Sequence, residues 1–353
     1  MSPAVGFCLI RMLLEYSGEK RKFRGGKAAP VLPKCRNLCI IQGMEYLITS
    51  YQTVMPLLLM MAVGLLLRVT GVASKEVWRV VNRIVYYVGL PCLIFNNLIK
   101  ERGASSDDWQ VILLSLVGTL VLFAAMWIVM PFFVKDPKRR GAITQASVRS
   151  NDSIFSLTVA ASMLGEGNFG LTIFTSALVA TEYNLLSILT LEMNRGGKPN
   201  VKSFVKNILT NPVILAVAAG YLFRATGLEL PVVLAKPIQH FANMVPPVGF
   251  LMLGGILTFR SVKENRKALS FIVVMKLVVV PLIMVGIAVA MGLRELRLLT
   301  ILLIFAAPTA MASYPLATAL DSDAELAGEA VAVTTAFSLP TVFLFLTFFG
   351  GSL

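Results

Sequence analysis

Residues 56–71 read PLLLMMAVGLLLRVTG, and residues 212–227 read PVILAVAAGYLFRATG. Pro56, Gly64, Arg68, Thr70 and Gly71 recur as Pro212, Gly220, Arg224, Thr226 and Gly227, each 156 residues later. The same offset carries Pro91 onto Pro247 and Leu164 onto Leu320. This many identities at one spacing mark an internal duplication. Each copy lies on a long apolar run of the chain.

The composition outside these windows agrees. Of 353 residues, 56% are hydrophobic and 14% are charged, against roughly a quarter charged in a soluble domain. That excludes an ordinary cytosolic enzyme and a disordered chain. The net charge of +13 suggests nucleic acid at first sight. The basic residues, however, sit in short clusters between apolar runs, so no nucleic-acid partner is expected and the solvent is a lipid bilayer. Residues 1–43 stand apart, holding 8 of the 32 Lys+Arg and three of the four cysteines, Cys8, Cys35 and Cys39. They read as a disordered or mis-annotated extension, with Met44 as a plausible start. Cys35 and Cys39 have no partner pair for a metal site, and no cofactor is expected.

From Met44 onward ten apolar runs follow, at 51–69, 77–98, 111–134, 142–163, 168–193, 205–224, 232–258, 268–290, 297–319 and 324–349. Each is long enough to cross ~30 Å of hydrocarbon as a helix, and no run alternates as a membrane strand would. The loops after runs one, three, five and seven carry 16 basic residues, and the opposite side carries six. The basic side is therefore expected in the cytoplasm, in a multi-pass cell-membrane protein with both termini outside. Five spans per copy is an odd number, so the second copy is inverted relative to the first. Two inverted five-helix repeats, 44–194 and 195–353, are the arrangement of secondary transporters.

In such proteins the site lies at the midplane, where spans from both halves are broken. Runs four and nine are the most polar of their halves. Run four holds Gln145, Ser147, Arg149, Ser150, Asn151, Asp152, Ser153, Ser156 and Thr158; run nine holds Pro308, Thr309, Ser313, Tyr314 and Pro315. Both prolines are expected to interrupt the helix and free backbone groups for a solute. The offset sets Asp152 opposite Pro308. Charges at bilayer depth are functional candidates by default. Asp152, Glu182 and Lys276 fall near the midplane, with Arg149 one turn away and Asn184 at similar depth. Two readings stay open for them. Arg149 and Asp152, or Lys276 with Asp152 or Glu182, form structural pairs; or a cation receives an anionic solute while a carboxylate tunes coupling. The chain has no phosphate-binding loop, zinc-protease motif or nucleophile elbow, so ATP-driven transport and hydrolysis lack candidates, and no enzyme activity is expected.

Residues 307–317, the following Asp323 and Leu326-Ala-Gly, Thr334-Thr335 with Ser338, Arg149-Ser150-Asn151 and Asn211-Pro212 together resemble the auxin efflux carrier family over about residues 46–350. The resemblance is closer to the bacterial branch than to the related plant PIN carriers, since the long central loop of many plant members is missing. It implies an all-α polytopic fold of ten helices, with a scaffold of spans 1, 2, 6 and 7 that often dimerises. It implies a transport unit of spans 3–5 and 8–10, in which broken spans four and nine cross beside the site. Asn151 matches the family's site asparagine and Pro308 begins the matching stretch. The family carries a proline seven residues after that asparagine, where this chain has Thr158, and the place of Asp152 is usually uncharged. The expected function is a secondary transporter, a permease or efflux carrier, of a small organic anion such as malate, malonate or an auxin-like carboxylate, by alternating access. A proton- or sodium-coupled cation exchanger using Asp152 and Glu182 is the alternative.

Overall fold

The computed structural model describes residues 32–100, 108–152, 155, 159–160, 170–195, 201–256 and 259–349. Among them the chain is helical, with no strand. The first helix, α1, runs from Leu32 to Val69, beginning upstream of the expected boundary at Met44. There follow α2 (Lys75–Ile84), a π-helical turn (Val85–Gly89) and α3 (Leu90–Lys100). Next come α4 (Trp109–Phe133), α5 (Pro137–Val148), α6 (Gly170–Met193), α7 (Val201–Leu209), α8 (Pro212–Ala225) and α9 (Val232–Ile256). The chain continues through α10 (Phe259–Glu264), α11 (Arg266–Val274), a second π turn (Met275–Val279), α12 (Val280–Ala290), α13 (Glu295–Ala306), α14 (Ser313–Ala319) and α15 (Ala324–Phe349).

Six stretches among the described residues are long and apolar enough to span a bilayer: Tyr46–Val69, Glu76–Ile99, Trp109–Phe133, Gly170–Met193, Arg266–Ala290 and Ala324–Phe349. The other four expected runs differ for visible reasons. Run six is divided between α7 and α8, because Asn211 caps α8 by accepting from the Val213 amide at 2.9 Å and Pro212 takes the first helical position, the preferred start for a helix. Run seven forms α9, which is long enough but is diluted by Lys236, Gln239, His240 and Asn243. Runs four and nine are interrupted, after Val148 and after Ala306.

The duplicated windows end alike. Gly71 (φ 76°) and Gly227 (φ 66°) both adopt the left-handed conformation that glycine tolerates. Their amides donate to the Arg68 and Arg224 carbonyls, each at 3.1 Å. The preceding Thr70 and Thr226 hydroxyls donate to the Leu66 and Phe223 carbonyls, at 2.8 and 2.6 Å.

Two large apolar clusters organise the packing. One includes Phe123, Phe155, Val285, Leu302 and Phe305; the other includes Leu57, Val85, Leu98, Val217 and Phe250. In the second, α1 and α9 approach so closely that a Cβ on Gly64 would strike the Leu251 carbonyl, and one on Gly254 would strike the Met61 carbonyl. Small residues that let backbones touch are a usual device in lipid, where hydrophobic segregation between helices is weak. Leu66, Phe132, Leu222 and Val233 lie largely exposed, as an outer surface suited to acyl chains requires.

Candidate functional site

The two interrupted runs meet. Helix α5 stops at Val148, and Arg149 turns extended (φ −62°, ψ 125°). Helix α13 stops at Ala306, and Ala307 does the same (φ −61°, ψ 147°). Pro308 explains the second stop, because it disfavours helix in the residue before it and has no N–H to offer. The extended pieces pair through a single antiparallel bridge between Ser150 and Thr309. The Asn151 amide donates to the Pro308 carbonyl at 2.7 Å. Side chains add further bonds across the crossing. The Thr309 hydroxyl donates to the Ala146 carbonyl at 2.7 Å, and the Thr309 amide donates to Thr334 Oγ1 at 3.1 Å. Gln145 Nε2 donates to the Ser313 carbonyl at 3.3 Å. Unpaired backbone in hydrocarbon costs several kcal/mol per group, so the junction survives because each half supplies what the other lacks.

Lys276 anchors the crossing from a third helix. It sits in the π turn Met275–Val279, fully buried, and donates to Ser150 Oγ at 2.5 Å and the Phe305 carbonyl at 2.9 Å. The Phe305 carbonyl lies in the last turn of α13, where carbonyls lack intrahelical partners and the helix dipole favours a cation. The Thr309 amide, which would have bonded it in a continuous helix, is held by Thr334. Tyr183 donates to the same Ser150 hydroxyl at 3.4 Å.

Beside the crossing is a small cavity of about 90 Å³. Arg149, Ser150, Asn151, Asp152 and Asn184 line it on one side, with Tyr183 and Met311; Leu93, Ile94 and Asn97 of α3 face them. Arg149 Nη2 donates to Asn184 Oδ1 at 2.5 Å. Arg149 Nη1 and Asn151 Nδ2 are buried and make no hydrogen bond. Buried donors without partners are rare and call for an explanation.

Several expected site residues fall elsewhere. Arg149 and Asp152 do not share a helix face, since residues 149–151 are not helical; the guanidinium hydrogen bond goes to Asn184, and Asp152 acts on Arg149 through charge alone. Lys276 hydrogen-bonds a hydroxyl and a carbonyl rather than a carboxylate. Glu182 is not among the cavity's lining residues. Ser313 is buried behind the crossing. Pro315 breaks nothing: it lies in the first turn of α14, where an N–H would have had no intrahelical partner. Tyr314 faces a second cavity of about 350 Å³ with Arg68, Arg79, Glu325 and Glu329. There Trp78 Nε1, Asn82 Oδ1 and Glu329 Oε1 are buried without partners. Thr158, Ser153 and Ser156 lie outside the described residues. Tyr183 and Asn97 were not expected at the site. Asn97 carried a signal, as an asparagine inside an apolar run; Tyr183 carried none beyond its neighbour Glu182.

An all-helical chain with lipid-facing spans, interrupted where a buried charged cavity forms, is a multi-pass membrane transport protein. The comparisons place it further. The family described as "membrane transport protein" matches residues 49–346, and the chain belongs to it, the auxin efflux carrier family. An uncharacterized transporter of Methanothermobacter thermautotrophicus is 25% identical over 301 residues, covering 82% of this chain and 95% of the relative. An uncharacterized transporter of Methanocaldococcus jannaschii is 23% identical over 302 residues, covering 82% and 96%.

Proposed function

We propose that this protein is a secondary transporter of a small organic anion working by alternating access. The observation that carries the reading is the pair of partnerless buried donors, Arg149 Nη1 and Asn151 Nδ2, beside one small cavity. A carboxylate would accept from both. Within the lining Asp152 balances Arg149, and Lys276, behind Ser150 and outside the lining, supplies the surplus positive charge that favours an anionic solute. At about 90 Å³ the space suits a compact acid such as malate or malonate better than an auxin-like ring, because drug-sized ligands occupy about 300 Å³ or more. The 350 Å³ cavity reached past Tyr314, one helical turn from Met311, serves as the solute's route on the basic side.

The architecture behind this reading is ten spans in two inverted repeats, 44–194 and 195–353. Spans 1, 2, 6 and 7 form a scaffold that dimerises, and spans 3–5 and 8–10 form the moving unit. The carrier resides in the cell membrane with its basic loops in the cytoplasm. The matching Thr-Gly helix ends support the repeat. A coupling proton or sodium ion belongs to the cation-exchange alternative, which calls on both Asp152 and Glu182; Asp152 lines the cavity and Glu182 does not.

The test is a thermal-shift screen of purified protein against mono- and dicarboxylates, indole-type acids and cations, at two pH values, with and without sodium. A ligand at 100 times its Kd adds about 2.7 kcal/mol, which is readily seen. Stabilisation by a small carboxylate that disappears in Asn151→Ala, with saturable uptake lost and folding intact, is the expected result. Stabilisation by sodium or pH alone, with none from any organic anion, would overturn it in favour of cation exchange.

A further inference from the structure

We propose that a groove between α4 and α11 is a binding site for an anionic phospholipid. The groove has a volume of about 470 Å³ and lies at the end of α4, against the start of α5 and α11. Its floor is Met130 and Ile143, both buried, and its walls include Phe133 and Ala268. Phe133 is 76% exposed, so in a spanning protein this face meets lipid rather than water. One end of the groove is basic: Arg139 and Lys267 both line it. An apolar channel with cations at one end is complementary to an acyl chain with a phosphate at its head.

The basic end is built rather than incidental. Arg139 is held in place, with Nη2 donating to Asn265 Oδ1 at 2.8 Å and Nη1 lying 3.9 Å from Asp323 Oδ2. Asn265 in turn donates to Glu329 Oε2 at 2.8 Å. Lys138, in the same first turn of α5, is committed elsewhere, to Asp321 at 2.8 Å. Lys267 is exposed at the rim, on the first turn of α11 rather than its last, so the helix dipole gives it no favourable partner. A phosphate between Arg139 and Lys267 would reinforce the link that the Arg139–Asn265 bond already makes between the first turn of α5 and the start of α11. The inference does not depend on which membrane face is cytoplasmic, nor on the solute proposed above.

The test uses the full chain, delipidated in detergent, with lipid adducts counted by native mass spectrometry. Dioleoylphosphatidylglycerol should bind at least fivefold more tightly than dioleoylphosphatidylcholine, since each basic side chain near an anionic headgroup is worth about fivefold. Lys267→Gln should reduce that preference about fivefold, and Ala268→Trp, which fills the groove, should remove tight binding of both lipids. If Ala268→Trp fails to fold, the exposed Lys267→Gln decides alone. Equal binding of the two lipids, or a preference unchanged in Lys267→Gln, would overturn the proposal. So would equal protection by glycerol phosphate alone, or a lipid-independent dimer that shields Phe133.

Discussion

Thr309→Val probes the crossing through a single atom. Valine has the shape of threonine and the same β-branched stiffness, and the site is fully buried, so neither a cavity nor a new rotamer is introduced. The loss is the donor 2.7 Å from the Ala146 carbonyl. That carbonyl lies beyond the last backbone bond of α5, which runs from the Arg149 amide to the Gln145 carbonyl at 2.9 Å, so no amide replaces the lost partner. A neutral hydrogen bond contributes about 0.5–1.5 kcal/mol net, whereas stranding a buried acceptor costs about 1–3 kcal/mol. The second figure applies, because only one partner is removed. At about 2 °C per kcal/mol for a large domain, the melting temperature in detergent should fall by roughly 2–6 °C. Uptake should fall further, because the crossing holds Asn151 and Ser150 in place. Thr309→Ser keeps the donor and gives up one methyl, a loss of about 0.8 kcal/mol, and should retain uptake. If Thr309→Val melts with the wild type while Thr309→Ser falls below it, the methyl and not the hydroxyl holds the crossing, and the reasoning fails.

Two further outcomes test other parts of the structure. Gly64→Ala places a methyl against the Leu251 carbonyl, a main-chain atom that cannot rotate aside; the cost should reach the upper end of the 1–3 kcal/mol usual for overpacking, or exceed it. Gly286→Ala, with nothing within 4 Å of the added atom, should be neutral or slightly stabilising, and equal melting of the two variants would refute the close approach of α1 and α9. Lys276→Met removes two hydrogen bonds but also a desolvated ammonium, so the stability terms oppose each other and the protein should fold. Its uptake should drop at least tenfold, and unchanged uptake kinetics would remove Lys276 from the site.

Much of the molecule was legible because membrane helices advertise themselves in long apolar runs. The polar patches at 145–153 and 307–315 pointed to the crossing for the same reason: so many hydrogen-bonding side chains are not spent in hydrocarbon without partners. The repeat offset even set Asp152 opposite Pro308, one residue from the observed bond between Asn151 and Pro308. The partners themselves were not legible. Helical spacing offers Asp152 as a hydrogen-bonding neighbour for Arg149, but the chain is extended there and the guanidinium hydrogen bond goes to Asn184 instead. For Lys276 a sequence shows the charged neighbours, of which Asp152 does act on it, but not the hydroxyl of Ser150 or the Phe305 carbonyl exposed by a distant proline, to which it hydrogen-bonds. Pro315 was read as a break because position within a helix, not residue type, decides what a proline does.

The Ser150–Thr309 bridge has a consequence for descent. A join made from main-chain atoms is indifferent to which side chains flank it. Its supports are not, since Ser150 Oγ accepts from Lys276 and the Thr309 hydroxyl donates to the Ala146 carbonyl, so a change at either position keeps the main-chain join but removes a bond that braces it. What the join itself forbids is proline at position 151, whose amide donates to Pro308. A lineage that placed proline there would lose that bond in a single step.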